Sequence, residues 1–349
     1  MSTFAERLIA WHRMHGRHEL PWQQNPIPYR VWVSEVMLQQ TQAATVVPYF
    51  ERFIERFPDV RALAKAPLDE VLSLWSGLGY YTRARNLHAA AISILEKHDG
   101  DVPTDFETLV ALPGIGRSTA GAVLALSLDL PYPILDGNAK RVFMRFHAVS
   151  GWPGRTTVLK ELWRIAEKHV PNTNARAYTQ ALMDLGATVC TPKAPDCTRC
   201  PLESDCDAYR IGNPELFPEK RPRREVPERP VTMLIVSDPS GAVLLEQRPA
   251  TGVWGGLWSF PELGAGETAE TWCVRHGLYG SAACKELPVL MHRLTHRRLM
   301  IRPVRVRVDS DRSRVQDGDT LRWYETDDLQ RVGLATPVSK LIDQISLDE

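Results

Sequence analysis

The sequence predicts a multidomain protein: an all-α domain over residues 1–212, a linker over 213–230 and an α+β domain over 231–349. Three observations predict it. Up to about Arg210, apolar residues recur every three or four positions and almost nothing alternates. Then NPELFPEKRPRREVPERP, rich in proline and charge, loses all periodicity, as an extended linker does. Beyond it, alternation with period two sets in.

Taken in order, YRVWVSEVMLQQTQAATVVPYFERFIERF and PLDEVLSLWSGLGYYTRARNLHAAAISILEKH are helical patterns, broken at Pro58, Pro67, Gly77 and Gly79. Further helices are expected at STAGAVLALSL, LKELWRIAEKHV and ARAYTQALMDLGATVC. In the second domain VTMLIV and AVLLEQR flank DPSG, a hairpin signal. Val304, Val306 and Val308 alternate with Arg305 and Arg307, as in a half-buried strand. ETAETWCVRHG and PVSKLIDQI complete the domain as helices.

The composition is that of a globular protein, with 44% hydrophobic and 24% charged residues in 349 and a formal net charge of zero. Zero net charge does not recommend nucleic acid, so any such partner must be argued from local features. MSTFAERLIAWHRMHGR lacks the basic start, apolar core and cleavage site of a signal peptide, and no run approaches the about 18 apolar residues of a membrane span. The expectation is a cytoplasmic protein with no membrane partner.

Of six cysteines, Cys190, Cys197, Cys200 and Cys206 are spaced C-x6-C-x2-C-x5-C, with Cys273 and Cys284 far away. Four thiolates so close suit tetrahedral zinc or a cubane iron–sulfur cluster. Structural zinc usually pairs two short knuckles and only one exists here, so the spacing favours the cluster; unligated buried cysteines are the plain alternative.

LPGIGRSTAGAVLAL places Gly114 and Gly116 around a tight turn between two helices, where positive φ and close approach are open to them. Free backbone N–H groups at the start of the second helix would hold a phosphate without reading sequence. In PILDGNAKRV, Asp136 is on its face a helix cap. In SEVMLQQTQ, read as a helix, Glu35, Gln39 and Gln42 share one face, either a polar cleft wall or a solvated surface. A carboxyl beside Trp32, Val36 and Leu38 could be desolvated, its pKa raised enough for a general acid.

These motifs together resemble the endonuclease III superfamily of DNA glycosylases. Within it, SEVMLQQTQ, GLGYYTRARNL, LPGIGRSTAGA, PILDGNAKRV and MDLGATVC resemble the adenine DNA glycosylase (MutY) family over nearly the whole chain. The resemblance implies a helix–hairpin–helix domain made of a six-helix barrel and an iron–sulfur lobe, one [4Fe-4S] cluster, and removal of adenine mispaired with 8-oxoguanine or guanine in duplex DNA. A monomer is expected. It makes Glu35 the acid that protonates adenine, and Asp136 the carboxylate that stabilises an oxocarbenium-like sugar, with Asn138 in support. The base must be flipped out to reach them, and Tyr80 and Gln40 match positions wedged into the stack. Gln39, Gly114, Gly116 and Lys140 are expected at the DNA. Relatives that also cut the strand carry a lysine where this chain has Ser118; a hydroxyl forms no imine, so base excision with little lyase activity is expected. Lys140 could trap abasic DNA weakly.

The second domain resembles the Nudix (MutT-like) module of the same family. GETAETWCVRHGL lacks the acidic set that holds magnesium in Nudix hydrolases, so nucleotide hydrolysis is not expected. Leu294, Thr295 and His296 stand where the family contacts 8-oxoguanine, with Leu294 and Thr295 departing from its Phe-Ser-His pattern and Thr295 keeping the hydroxyl. Phosphate contacts are expected from Arg117, Lys140, Arg141 and the Lys220–Arg224 run, with Arg223 and Arg224 read rather as part of a solvated linker.

Overall fold

The computed structural model describes residues 2–222, 226–278, 284–294, 296–309 and 320–347. Contacts divide the chain into two units, residues 1–65 with 86–223 and residues 66–85 with 224–349. Among the described residues no helix is long and apolar enough to cross a membrane.

The first unit is helical: α1 (Phe4–His15), α2 (Pro28–Leu38), α3 (Ala43–Arg56) and α4 (Val60–Lys65) precede α5 (Leu68–Leu74), which belongs to the second unit. After α6 (Thr82–Lys97) come α7 (Phe106–Val110), α8 (Arg117–Leu128), α9 (Gly137–Phe146), α10 (Thr156–His169), α11 (Ala175–Thr188) and the short α12 (Asp207–Arg210). A reciprocal capping box starts α1: Glu6 N–H donates to Thr3 Oγ1, and Thr3 N–H to the Glu6 carboxylate. Trp32, Phe50, Phe53, Phe143 and Tyr178 fill the interior. Helix α8 packs against α2, α7 and α11. Its small residues let the extended chain before α9 cross it closely, since a Cβ on Gly121 would lie 2.4 Å from the Pro133 carbonyl oxygen. That crossing delivers Asp136.

Two expectations are corrected. SEVMLQQTQ is not one helix: α2 ends at Leu38, Gln40 takes φ +61°, and Gln42 is the cap residue before α3. The polar run Gln39–Gln42 offers no apolar stripe to carry a helix through, so Glu35, Gln39 and Gln42 do not share a helical face. Nor is the linker extended throughout. Residues 214–216 form a 3-10 turn, Phe217 is buried, and Arg145 Nε donates to the Pro214 and Phe217 carbonyls. Gly151 N–H donates to the Glu219 carboxylate at 2.7 Å. An apolar ring and backbone carbonyls, rather than periodicity, tie that stretch down.

The second unit is a mixed sheet with strand order β3-β2-β1-β6-β4, flanked by α13 (Ala269–Arg275) and α14 (Thr336–Leu347). β1 (Glu228–Ser237) pairs in parallel with β6 (Arg298–Arg307) and antiparallel with β2 (Val243–Gln247). β3 (Trp258–Ser259) and β7 (Leu321–Tyr324) pair with β2, and β4 (Lys285–Glu286) and β5 (Leu290–Arg293) with β6. The expected hairpin turns at Asp238, whose carboxylate accepts from Ser240 N–H, Ser240 Oγ and Ala242 N–H. β1 starts before the apolar run because its polar end is paired, Glu228 opposite Arg298 with a 2.8 Å ion pair. Val306 and Val308 are buried as the alternation predicts, in a core with Leu234, Val236, Leu244, Trp272 and Cys273 of α13.

Candidate active site

The end of α2, the Gln39–Gln42 turn, the start of α9 and one face of α11 enclose a pocket of about 900 Å³. Glu35, Gln39, Gln40, Gln42, Asp136 and Asn138 all line it, with Arg17, Trp22, Thr119, Arg141, Gln180 and Met183. The break after Leu38 therefore brings the glutamines to the cavity as a turn. Gln39 Nε2 donates to Thr119 Oγ1 at 3.4 Å, joining that turn to α8.

The two carboxyls differ in their electrical settings. Burial pushes the Glu35 pKa up to about 8, and the nearby Asp136 adds to the rise. Burial also raises Asp136, but every other influence on it favours the anion: backbone N–H groups of Ala139 and Asn138, and the charges of Arg141 and Lys140. Asp136 is the N-cap of α9, accepting from Ala139 N–H at 2.7 Å. The cap and the pocket residue are thus the same side chain. The two carboxyls therefore share the effect of burial but differ in what opposes it: Asp136 has N–H donors and cations against it.

Ser118 is occupied elsewhere. Its hydroxyl accepts from Leu135 N–H at 2.9 Å, holding the strand-like approach to Asp136 against α8, and Thr119 rather than Ser118 faces the pocket. Asn138 Oδ1 accepts from Arg141 Nη2 at 2.7 Å. The same guanidinium donates to the Gly186 carbonyl at 2.6 Å and the Cys190 carbonyl at 2.7 Å. Arg141 is therefore a clamp between α9, α11 and the cysteine loop.

One turn further along α9, buried Arg145 donates to Cys190 Sγ (3.3 Å) and to the carbonyls of Thr191 and Pro192. Cys190, Cys197, Cys200 and Cys206 line one small cavity of about 30 Å³. Among the described residues no group of His, Cys, Asp and Glu is set to hold a single metal ion.

The α7–α8 turn has the expected shape, with one amendment. Gly114 takes φ +76°, whereas Gly116 is extended at φ −90° and caps α8. Ile115 between them is buried, so both exposed glycines are pinned outward. Arg117 pairs with Glu167 and lies 4.0 Å from the centre of the Trp163 ring. Lys140 is half-buried. Gln40 and Tyr80 are both exposed and both have left-handed backbones, φ +61° and +50°. His296 is exposed in the β5–β6 turn; Thr295 and residues 223–224 lie outside the described residues.

Curated relatives match end to end: adenine DNA glycosylase of Buchnera aphidicola (from Acyrthosiphon pisum) is 36% identical over 97% of both chains. The chain belongs to the adenine DNA glycosylase family. A mouse member is 37% identical over 75% of this chain and 61% of its own. Residues 33–168 match the HhH-GPD superfamily base excision DNA repair protein model, and residues 232–344 the NUDIX domain model. Among solved structures a thermostable thymine-DNA glycosylase aligns at TM-score 0.55 with 26% identity, covering 60% of this chain and 95% of its own. An endonuclease III–DNA complex shares the fold of the helical part at TM-score 0.50, 24% identical, covering 59% and 94%.

Sequence reasoning missed several pocket residues of this family member. Arg17 and Gln180 reach it through Asp184, a fully buried carboxylate on α11 that accepts from Arg17 N–H (2.8 Å), Arg17 Nε (2.9 Å) and Gln180 Nε2 (3.1 Å), with His12 Nε2 at 3.2 Å. A signal existed: an aspartate inside the apolar run ALMDLGA needs buried partners.

Proposed function

We propose that this glycosylase excises adenine opposite 8-oxoguanine or guanine, using Glu35 as general acid and Asp136 as the carboxylate facing the sugar. The observation that carries the reading is the pair of carboxyls lining one pocket: burial raises Glu35 to about 8, while on Asp136 the rise from burial is opposed by a helix start and two cations. Protonation on the ring makes adenine a better leaving group, and an anion offsets the positive charge on the sugar. Gln40 and Tyr80, exposed in strained turns, act as wedges that help extrude the nucleotide. Gly114, Gly116 and Lys140 meet the phosphates, Gln39 braces the turn at the DNA, and Thr295 and His296 serve recognition of the base opposite.

Ser118 cannot form an imine and is engaged with Leu135, so the enzyme is read as monofunctional. Cys190, Cys197, Cys200 and Cys206 fit one [4Fe-4S] cluster: four thiols ring one cavity with a cationic side chain against them. Its role would be to fasten the loop after α11; base hydrolysis transfers no electron. The protein is taken to act as a cytoplasmic monomer.

Single-turnover excision from A:8-oxoguanine, A:G, A:C and A:T duplexes, with and without alkali, tests the proposal. Preference for the first two and strand scission only after alkali are expected. Equal excision from A:T would sink the specificity, and scission without alkali the monofunctional reading.

A further inference from the structure

Residues 66–85, which include Tyr80, pack with residues 224–349. At one end of this segment Asp69 of α5 meets the sheet: Gln247 Nε2 donates to its Oδ1 at 3.4 Å and Trp258 Nε1 to its Oδ2 at 3.3 Å. At the other end the Tyr81 hydroxyl donates to the Leu334 carbonyl at 3.1 Å, and Arg85 donates to the Gly255 carbonyl.

Between these anchors the chain turns through Gly77, Gly79 and Tyr80, at φ +98°, +72° and +50°. A tyrosine in the left-handed region persists only where its surroundings hold it. Arg83, 7% exposed, donates to the Leu78 and Gly79 carbonyls and lies over the Trp75 and Tyr80 rings. The Tyr80 ring, 46% exposed, is therefore offered from a turn whose two ends are bolted to the C-terminal sheet.

We propose that Asp69 and Tyr81 are positioning residues for base extrusion, through which the C-terminal sheet holds the Tyr80 turn ready to enter the stack. The inference rests on the wedge reading of Tyr80. A wedge on a loose turn must be ordered as it inserts, and that entropy opposes extrusion; a turn fixed beforehand avoids it. The second domain then contributes to extrusion as well as to recognition of the base opposite.

The test compares Asp69→Ala, Tyr81→Phe and Tyr80→Ala in the full chain. A duplex with 2-aminopurine opposite 8-oxoguanine reports extrusion by fluorescence, and rates are scaled to active-site concentration. Extrusion slowed about tenfold in both positioning variants, the loss of one or two hydrogen bonds, is expected, with the pH profile of excision unmoved. A purely structural role would lower the active fraction and leave the scaled rate alone, which overturns the inference. Where Asp69→Ala does not fold, Tyr81→Phe, which removes one oxygen, decides. Normal extrusion by Tyr81→Phe beside slow Tyr80→Ala overturns the positioning role. Normal extrusion by Tyr80→Ala overturns the wedge reading and the inference with it.

Discussion

Arg141 Nη2 lies 2.7 Å from Asn138 Oδ1 while its Nε lies 2.7 Å from the Cys190 carbonyl oxygen, so one guanidinium spans the pocket and the first residue of the cysteine loop. Replacing it by Met orphans the Cys190 and Gly186 carbonyls and frees Asn138 beside Asp136. We expect about 2–3 kcal/mol of lost stability, read in thermal unfolding, and excision slower by about tenfold. Arg141→Lys should recover little, because one ammonium cannot reproduce a planar fork. Unchanged stability would show the clamp to be dispensable.

The proposed acid role of Glu35 carries both a chemical and a pH prediction. As a general acid it must be protonated, so excision should hold below about pH 8 and fall as pH rises through that value. The stability effect has its own sign. Between the unfolded value of 4.5 and the folded value of about 8 the unfolded chain releases a proton that the folded chain keeps, so stability falls across that window. Glu35→Gln should abolish excision, keep mismatch binding, and unfold several degrees higher than the parent at pH 8 with the difference closing toward pH 4. Retained turnover would remove Glu35 from the acid role.

Ser118→Lys tests the proposal that the enzyme is monofunctional. The amine supplies an imine-forming group, so borohydride should trap a protein–DNA adduct that the parent does not give. Excision should nonetheless slow, since Leu135 N–H loses its acceptor and Asp136 its fixed approach. Absence of any adduct would show that a lysine at position 118 does not reach the sugar.

Gly114→Ala combines a left-handed φ with a Cβ 2.7 Å from the Asn86 Cβ. A cost of about 1–3 kcal/mol in stability is expected. Duplex affinity should fall several-fold for matched and mismatched DNA alike, because phosphate contacts carry no sequence information. Titration by fluorescence anisotropy checks it, and a mismatch-selective loss would contradict the phosphate role.

Much of this was legible in the chain. The hairpin around Asp238, the alternation of Val306 and Val308, and α8, α10, α11, α13 and α14 follow from local patterns that the structure keeps. The QQTQ run misled, because spacing on an assumed helix says nothing about where a helix stops.

By itself the sequence determined the two fold classes and the cysteine spacing, since these rest on periodicity, spacing and residue type, while Glu35 and Asp136 stood out only through the resemblance to a family. Only the tertiary structure decided their states. Burial raises both Glu35 and Asp136, a helix start and Arg141 oppose the rise on Asp136, and Asp184 brings Arg17 and Gln180 to the same cavity. It also placed the Tyr80 turn with the C-terminal sheet. Desolvation and charge depend on what surrounds a group in three dimensions, and those neighbours come from distant parts of the chain.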